Sequence, residues 1–415
     1  MDADVVIVGA GVGGAACALA FARLGARVLV LEQHPGPGNL NRGDSLLPTV
    51  TAYLSAWGVL ERFRDAGGKP LERMIVQAEG RPLMDVPLRH EASAPYLVLA
   101  HPEIERTLVE AAEATGRVEV RYRSHVTGLA EREGRVVGVR LRRRGEDDET
   151  VSARLVIGAD GQSSRTRQAL SIPQARVPYD HGYYGIALTR PAGYEDAMRL
   201  ELHPRGGVLV VPRVEPDQVG LGVLVQARDE ELFRSGSLHE KLAAVRARTP
   251  LLAECEPVDD DPAHLYRLAR SHSPRYVARG AALIGDAIHT TNPVAGQGMT
   301  MAIEDAAALA RHAAPVLVEG RDLEALDAAL AAYERERYPS NAAILRWSHL
   351  LSHVYAHPGR VAHWLRARVF GIGGTALGRR LHRTIYGRLA TRPLPPEPAA
   401  LPAPTEPLGL PLGSA

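Results

Sequence analysis

The sequence predicts an α/β chain. A parallel sheet with helices on its faces is interrupted by an inserted, mostly antiparallel sheet, and a helical segment closes the chain. Three observations carry this reading. Residues 4–32, DVVIVGAGVGGAACALAFARLGARVLVLE, run strand, glycine turn, helix, strand, acid in one stretch. Buried-strand patterns ending in Asp-Gly or Gly-Asp recur at 155–161 and 281–286. Between them, residues 183–189, 197–203, 207–213 and 218–226 read as strands separated by turn residues, with a helical pattern near 237–248, as expected for an antiparallel sheet with a covering helix.

The first stretch is a dinucleotide-binding pattern with a mechanism for each part. Gly9 permits the tight turn, Gly11 lets backbone approach a pyrophosphate, and Gly14 lets the helix pack close to the sheet. The helix N-terminus offers unpaired N–H groups and the positive end of a dipole. Glu32, closing the second strand, can accept hydrogen bonds from ribose. A helix follows from about Thr49, strands at 73–88, an amphipathic helix from His101 to Ala114, and strands at about 118–122, 125–130, 136–143 and 150–157. After the inserted sheet, Asp286 ends a buried strand. A loop rich in Thr, Asn, Pro and Gly leads into a helix from about Gly298, and two further helices are expected at 323–338 and 340–356. Arg392 to Ala415 carries eight prolines in 24 residues, so an extended, poorly ordered tail is expected.

Composition narrows the function classes. A chain of 415 residues has room for two or three domains with sizeable cores. The formal net charge of +1 provides no global field for nucleic acid. Cys17 and Cys255 are the two cysteines, too few for a disulfide framework, and with Asp2 and Asp4 at an N-terminus lacking a basic region they point to a cytoplasmic protein. No uninterrupted apolar run is long enough for a membrane span.

Three separated motifs, Gly9-x-Gly11-x-x-Gly14 with Glu32, Asp160-Gly161-x-x-Ser164-x-x-Arg167, and Gly285-Asp286 continuing through Pro293, Gly296 and Gly298-Met299-Thr300, together resemble the class A FAD-dependent monooxygenases typified by para-hydroxybenzoate hydroxylase. The resemblance covers about residues 1–340. It implies a Rossmann-like FAD-binding domain (1–72, 97–178 and 270–340) and a substrate domain (73–96 and 179–269); beyond it the sequence itself reads as C-terminal helices (341–391) and the proline-rich tail (392–415). It implies that the glycine turn and Glu32 hold the AMP end of FAD, with Arg42, His101 and Val126 among the cofactor contacts. Asp160, Gly161 and Arg167 would serve FAD and NAD(P)H, and Asp286 the ribityl chain. The backbone of Gly298, Met299 and Thr300 would face the flavin pyrimidine, and Pro293 and Gly296 would line the reacting loop. Arg42 also reads as a solvated loop arginine, and the shorter His101 stands where relatives carry Arg or Gln. The implied reaction uses NADH or NADPH, visiting transiently, to reduce FAD. O₂ then gives a flavin C4a-hydroperoxide, which passes one oxygen to an aromatic or unsaturated lipophilic molecule in a natural-product tailoring step. Hydroxylation, epoxidation and Baeyer–Villiger insertion stay open.

Substrate contacts are expected from Tyr183, Tyr184, His203 and Arg213 on the inserted sheet, with His181 and Arg199 beside them, although each also reads as an ordinary strand residue. His349, His353 and His357 share a helix face, but without the glutamate of the zinc-protease motif no metal is expected. The basic, amphipathic residues 345–390 read as helical packing, a cover for the substrate mouth, or a peripheral membrane contact. A monomer and a homodimer are both compatible with the sequence. The alternatives are a halogenase, whose Trp-x-Trp motif is absent here, a prenyl-chain reductase of the same fold, and a non-catalytic flavoprotein.

Overall fold

The computed structural model describes residues 2–38, 45–88, 94–143, 149–258, 263–375, 378, 392–396 and 399–401.

The first sheet runs in the order Val277–Ala278, Ala281–Leu283, Glu149–Gly158, Ala3–Val8, Val28–Leu31, Val118–Arg121. Its neighbours are parallel from Ala281–Leu283 through Val118–Arg121. Strands covered on both faces read as nearly continuous apolar runs, and Ala3–Val8 is buried except at Asp4. On one face the helices Val12–Arg23, His101–Glu113 and Gly298–Val318 pack through Phe21, Leu108, Ile303 and Leu309. On the other, the hairpin Ser124–Arg132/Arg135–Arg143 packs Leu129, Val139 and Leu141 against Val6 and Leu29. The order in which the strands are connected reverses at Ala3–Val8, with Val28–Leu31 following on one side and Glu149–Gly158 added later on the other, so the crevice beyond its carboxyl end is a topological switch point.

The second sheet has the order His289–Thr290, His264–His272, Arg176–Thr189, Gln218–Gln226, Val208–Pro212, Met198–Leu202, Arg73–Ala78, Arg81–Pro87. Its pairs are antiparallel except Met198–Leu202 with Arg73–Ala78. Alternation along the strands separates two faces. Tyr184, Ile186, Val210 and Val223 pack under the helices Glu230–Ser235 and Leu238–Arg246 with Phe233 and Leu242. Tyr183, Leu209, Val211 and Leu224 alternate with these on the opposite face.

Three elements differ from expectation. The strand expected at 183–189 begins at Arg176 and continues through a register shift between Pro178 and Gly182. His264–His272 is also a strand; its arginines, Arg267 and Arg270, stand three apart, which blurs the period-two pattern of a strand. The helices expected at 323–338 and 340–356 are one helix, Leu323–Ala356, with Pro339 inside it. Proline removes one helical hydrogen bond, but here Arg337 and Asn341 on either side are buried and bonded to each other at 2.8 Å, which holds the helix through the break. At 34 residues it spans about 50 Å. It joins the first sheet, where the Tyr333 hydroxyl donates to Leu283 O at 2.9 Å, to the second, where Gln226 donates to Ala356 O. The last helix, Arg360–Gly373, packs Ala367 and Phe370 against Met84 and Val86. Among the described residues no helix is long and apolar enough to cross a membrane.

Candidate cofactor and substrate site

At the switch point Gly9 adopts φ +102°, and a Cβ there would lie 2.6 Å from Ala159 O. A Cβ on Gly14 would lie 1.9 Å from Gly9 O, so the helix start is pressed directly onto the turn. The helix opens at Gly11 without a side-chain cap, leaving its first N–H groups for a ligand. Glu32 stands beside this turn. Its Oε2 accepts from Ala10 N at 2.9 Å and its Oε1 from His34 N at 2.8 Å. His101 meets Glu105 at 3.3 Å. Its Nδ1 is buried and has no partner among the described residues. Glu105 accepts from Gly38 N at 3.0 Å, and its Oε1 lies 3.6 Å from where a Gly11 Cβ would be. The polar group nearest Gly11 is therefore a carboxylate, with His101 behind it. Val126 packs beside the core on the hairpin face. Arg42 lies outside the described residues.

Asp160 and Arg167 bind inward. Asp160 Oδ2 accepts from Thr166 N at 2.9 Å and Thr166 Oγ1 at 3.0 Å, and Oδ1 accepts from Ser164; Gly161 follows with φ +73°. Buried Arg167 donates to Ala287 O at 2.8 Å, and burial lowers its pKa even though Asp160 pulls the other way. This turn is thereby tied to the loop carrying Asp286, which Gln162 contacts at 3.4 Å.

The helix Gly298–Val318 also starts without a side-chain cap. The Thr300 hydroxyl is buried there with no partner among the described residues. Behind it lies a buried charge network. His289 and Arg337 contact Asp305 at 2.7 and 2.8 Å, and Asn341 donates to it at 2.9 Å. Burial would raise the Asp305 carboxyl, but His289 and Arg337 outweigh it and hold it well below the usual carboxylate range.

The loop between Asp286 and this helix is held by side chains from three distant elements. Asn292 Oδ1 accepts from Val294 N at 3.1 Å, which turns its amide NH₂ toward His181 Nε2, 3.1 Å away. That nitrogen must then be the acceptor, so the ring proton sits on Nδ1, 2.9 Å from Asp180. Burial lowers the His181 pKa, opposed by Asp180, and favours this neutral form. Ser348 donates to Asn292 O at 3.2 Å and accepts from Thr291 at 2.7 Å. Arg392 grips Glu304 at 2.6 and 2.9 Å, donates to the Gln297 side chain at 3.0 Å, and its backbone N donates to Thr49 at 3.0 Å. A Cβ on Gly296 would lie 3.4 Å from Leu47. Leu47 in turn belongs to an apolar cluster with Leu202, Val211, Tyr355 and Phe370.

The substrate-side expectations divide. Tyr183 lies across Gly222, whose Cβ would fall 1.6 Å from its hydroxyl oxygen, on the face that carries Val211; Arg213, just past the end of Val208–Pro212, is mostly buried and 3.4 Å from Glu215. Tyr184 points the other way, edge-on to Phe233 with ring centres 5.0 Å apart, and burial pushes its hydroxyl up to about 12. Arg199 stacks near Tyr194. His203 sits at a strand end beside the last helix, accepting from Arg205 N at 3.1 Å, and burial lowers it to about 4. The structure turns Tyr183 and Tyr184 to opposite faces of the sheet and leaves Tyr184, Arg199 and His203 away from the loop. His349 and His353 touch at 3.3 Å, and among the described residues no three side chains are grouped to hold a metal.

Asn292, Ser348, Arg392 and Leu47 were not expected in the site. Only Asn292 carried a signal, since Asn-Pro favours turn initiation. Two uncapped helix starts, carboxylates Glu32 and Asp286 at strand ends and the unpartnered Thr300 hydroxyl form a donor and acceptor set that fits an elongated dinucleotide such as FAD.

The FAD binding domain family matches residues 2–348, a span containing all three motifs. The 6-methylpretetramide 4-monooxygenase of Streptomyces rimosus is 32% identical over 88% of this chain and 87% of its own length. The ubiquinone hydroxylase UbiL of Rhodospirillum rubrum is 28% identical over 95% and 92%. Among solved structures, P. aeruginosa PqsL in complex with 2-aminobenzoylacetate aligns with a TM-score of 0.72 at 28% identity, over 90% of this chain and all of its own.

Proposed function

Since the chain belongs to the FAD binding domain family and is a flavoprotein monooxygenase, we propose that it takes electrons from NAD(P)H and inserts one oxygen atom of O₂ into a lipophilic aromatic or unsaturated small molecule, as a natural-product tailoring step. The observation that carries this reading is the uncapped start of Gly298–Val318 beside a loop whose neighbour, Leu47, opens into the apolar cluster of the second sheet. The two relatives above act, by their names, on a pretetramide and on ubiquinone, which supports a ring substrate of low polarity.

In this reading the first helix start and Glu32 hold the AMP end of FAD, and Asp286 its ribityl chain. When bound, FAD supplies the redox and oxygen-activating chemistry. The chain supplies the rest. The N–H groups of Gly298, Met299 and Thr300 present a positive helix end to negative charge. Leu47, Val211 and Phe370 exclude water from the reacting side. Tyr183, on the second-sheet face away from the two short helices, and Arg213, just past the end of Val208–Pro212, would orient an oxygenated ring. His181, Ser348 and Arg392 act as positioning residues for the Asn292–Gln297 loop. The labour divides accordingly, with 1–72, 97–178 and 270–340 serving the cofactor and 73–96 and 179–269 the substrate.

The test combines purified FAD-loaded protein, NADH or NADPH, O₂ and a panel of polycyclic phenols and prenylated quinones. The expected result is flavin reduction that substrate accelerates and a product heavier by one oxygen atom. Turnover that persists without O₂ would instead identify a reductase. Flavin reduction unaffected by every substrate, with no product, would leave a non-catalytic flavoprotein.

A further inference from the structure

The last helix carries an exposed apolar stripe on the side away from its packing. Val361, Trp364, Leu365, Val369 and Ile372 are 74%, 55%, 51%, 64% and 66% exposed. At 100° per residue they fall within an arc of about 140°. Arg368 lies inside that arc with its guanidinium over the Trp364 ring at 5.1 Å. Leu350 and Val354 of the preceding helix are exposed too. At the start of the last helix, Arg205, Arg228 and Arg360 line an open crevice of about 370 Å³ with Pro204 and Gly359. Residues 337–396 contain ten arginines and no aspartate or glutamate, in a chain whose net charge is only +1. Of the acids contributed by other elements, Asp229 is buried between Arg205 and Arg248, and Glu79 acts on His363 and His203.

We propose that this face docks on an anionic lipid surface, with the stripe entering the acyl boundary and the Arg205–Arg228–Arg360 crevice taking headgroup phosphate. Amphipathic helices with tryptophan on the apolar side and arginine beside it bind such interfaces in the membrane plane, and each arginine near an anionic surface adds to the attraction. The charge pattern favours lipid over a second copy of the chain, because a two-fold contact across this face would bring the two arginine-lined crevices together, with Asp229 already bound to Arg205 and Arg248. The opposite side of the same helix places Phe370 in the apolar cluster that reaches Leu47. Resting on the reading of a lipophilic substrate, docking would open that cluster toward the phase in which the substrate dissolves.

The test is co-sedimentation of the full chain, FAD-loaded, with vesicles of phosphatidylcholine alone or with one part in three phosphatidylglycerol. Binding is expected only to the anionic vesicles and to weaken with salt. The double variant Val369→Asp/Ile372→Asp is expected to lower partition about tenfold or more while retaining FAD and monomeric elution. Protein that stays in the supernatant overturns the proposal. So does binding that the double variant leaves unchanged, or a wild-type dimer that the variant splits, which would mean a second copy covers the face. Sedimentation needs no turnover and flavin reduction needs no vesicle, so failure here is distinguishable from failure of the oxygenation reading.

Discussion

The starts of the helices Val12–Arg23 and Gly298–Val318 both lack side-chain caps and lie against each other, a Cβ on Gly13 falling 3.3 Å from that of Ala302, yet they are built differently. The first is fixed by backbone against backbone, since Gly14 leaves no room for a Cβ over Gly9 O and Gly9 none against Ala159. The second is approached through a loop held by side chains borrowed from His181, Ser348 and Arg392, which stand 111, 56 and 95 residues from their partners in the chain. A site anchored by local steric contact is all-or-none. One anchored by several separate hydrogen bonds can be loosened in steps.

The largest break is expected at the first start. Gly14→Val places a branched side chain where even a Cβ would sit 1.9 Å from a backbone oxygen. Overpacking against backbone costs about 3 kcal/mol or more, and loss of both folding yield and bound FAD is expected. Gly13→Ala is the milder companion, its Cβ meeting that of Ala302 at 3.3 Å. Chemical denaturation and flavin absorbance after gel filtration measure both. A Gly14→Val protein that keeps wild-type stability and FAD would refute the steric account.

The same contrast explains what was legible in the sequence. The turn at Gly9–Gly14 and the acid at Glu32 lie within one βαβ unit, so residue type and spacing alone define them. Pro293, Gly296 and Gly298 were legible as a loop entering a helix, but what holds the loop was not. The partner of Asn292 comes from a strand whose start at Arg176 was masked by Pro178 and a register shift. Ser348 lies beyond a proline at which the helix was expected to break, and Arg392 lies in a proline-rich tail with no periodic pattern. Tyr183 and Tyr184 read alike as strand aromatics. Which of them is packed under the two short helices depends on the face those helices cover, and adjacent residues do not encode that.

The second loop is expected to respond to pH through His181. With its folded pKa below the ordinary value of about 6.5, the native state binds the proton less readily than the unfolded chain. The stabilisation is complete above about pH 6.5 and is lost as pH falls from there toward the lowered folded value. Protonated Nε2 would also face the Asn292 NH₂ donor. His203 and His272, each pushed down to about 4 chiefly by burial, contribute with the same sign, so the comparison must be made against a variant. His181→Gln keeps an acceptor without titrating and should flatten the acid limb of stability and of flavin reduction. His181→Phe leaves the fully buried Asn292 amide unsatisfied and should cost about 1–3 kcal/mol at every pH. Identical pH profiles for wild type and His181→Gln would exclude His181 as the titrating group.

The smallest effect is expected at Arg392, which is bound to the helix start from outside. Its guanidinium holds both oxygens of Glu304 and the Gln297 side chain, but Glu304 keeps Arg337 at 3.1 Å when Arg392 is removed. No buried charge is left unpaired, so Arg392→Ala should cost only about 1 kcal/mol of stability. Its signature should instead be local. With Gln297 released, the residue before Gly298 loses its tether, and substrate-stimulated flavin reduction should slow while FAD affinity at the Gly9–Glu32 end stays unchanged. Truncation after Thr391 should slow flavin reduction at least as much, since it also removes the packing of Leu394 and the bond from Leu401 N to Arg23 O, and Arg392→Lys should recover part of the loss by keeping the charge near Glu304 without the two-pronged grip. A truncated protein that reduces its flavin at the wild-type rate would show that the tail merely rests on the helix start.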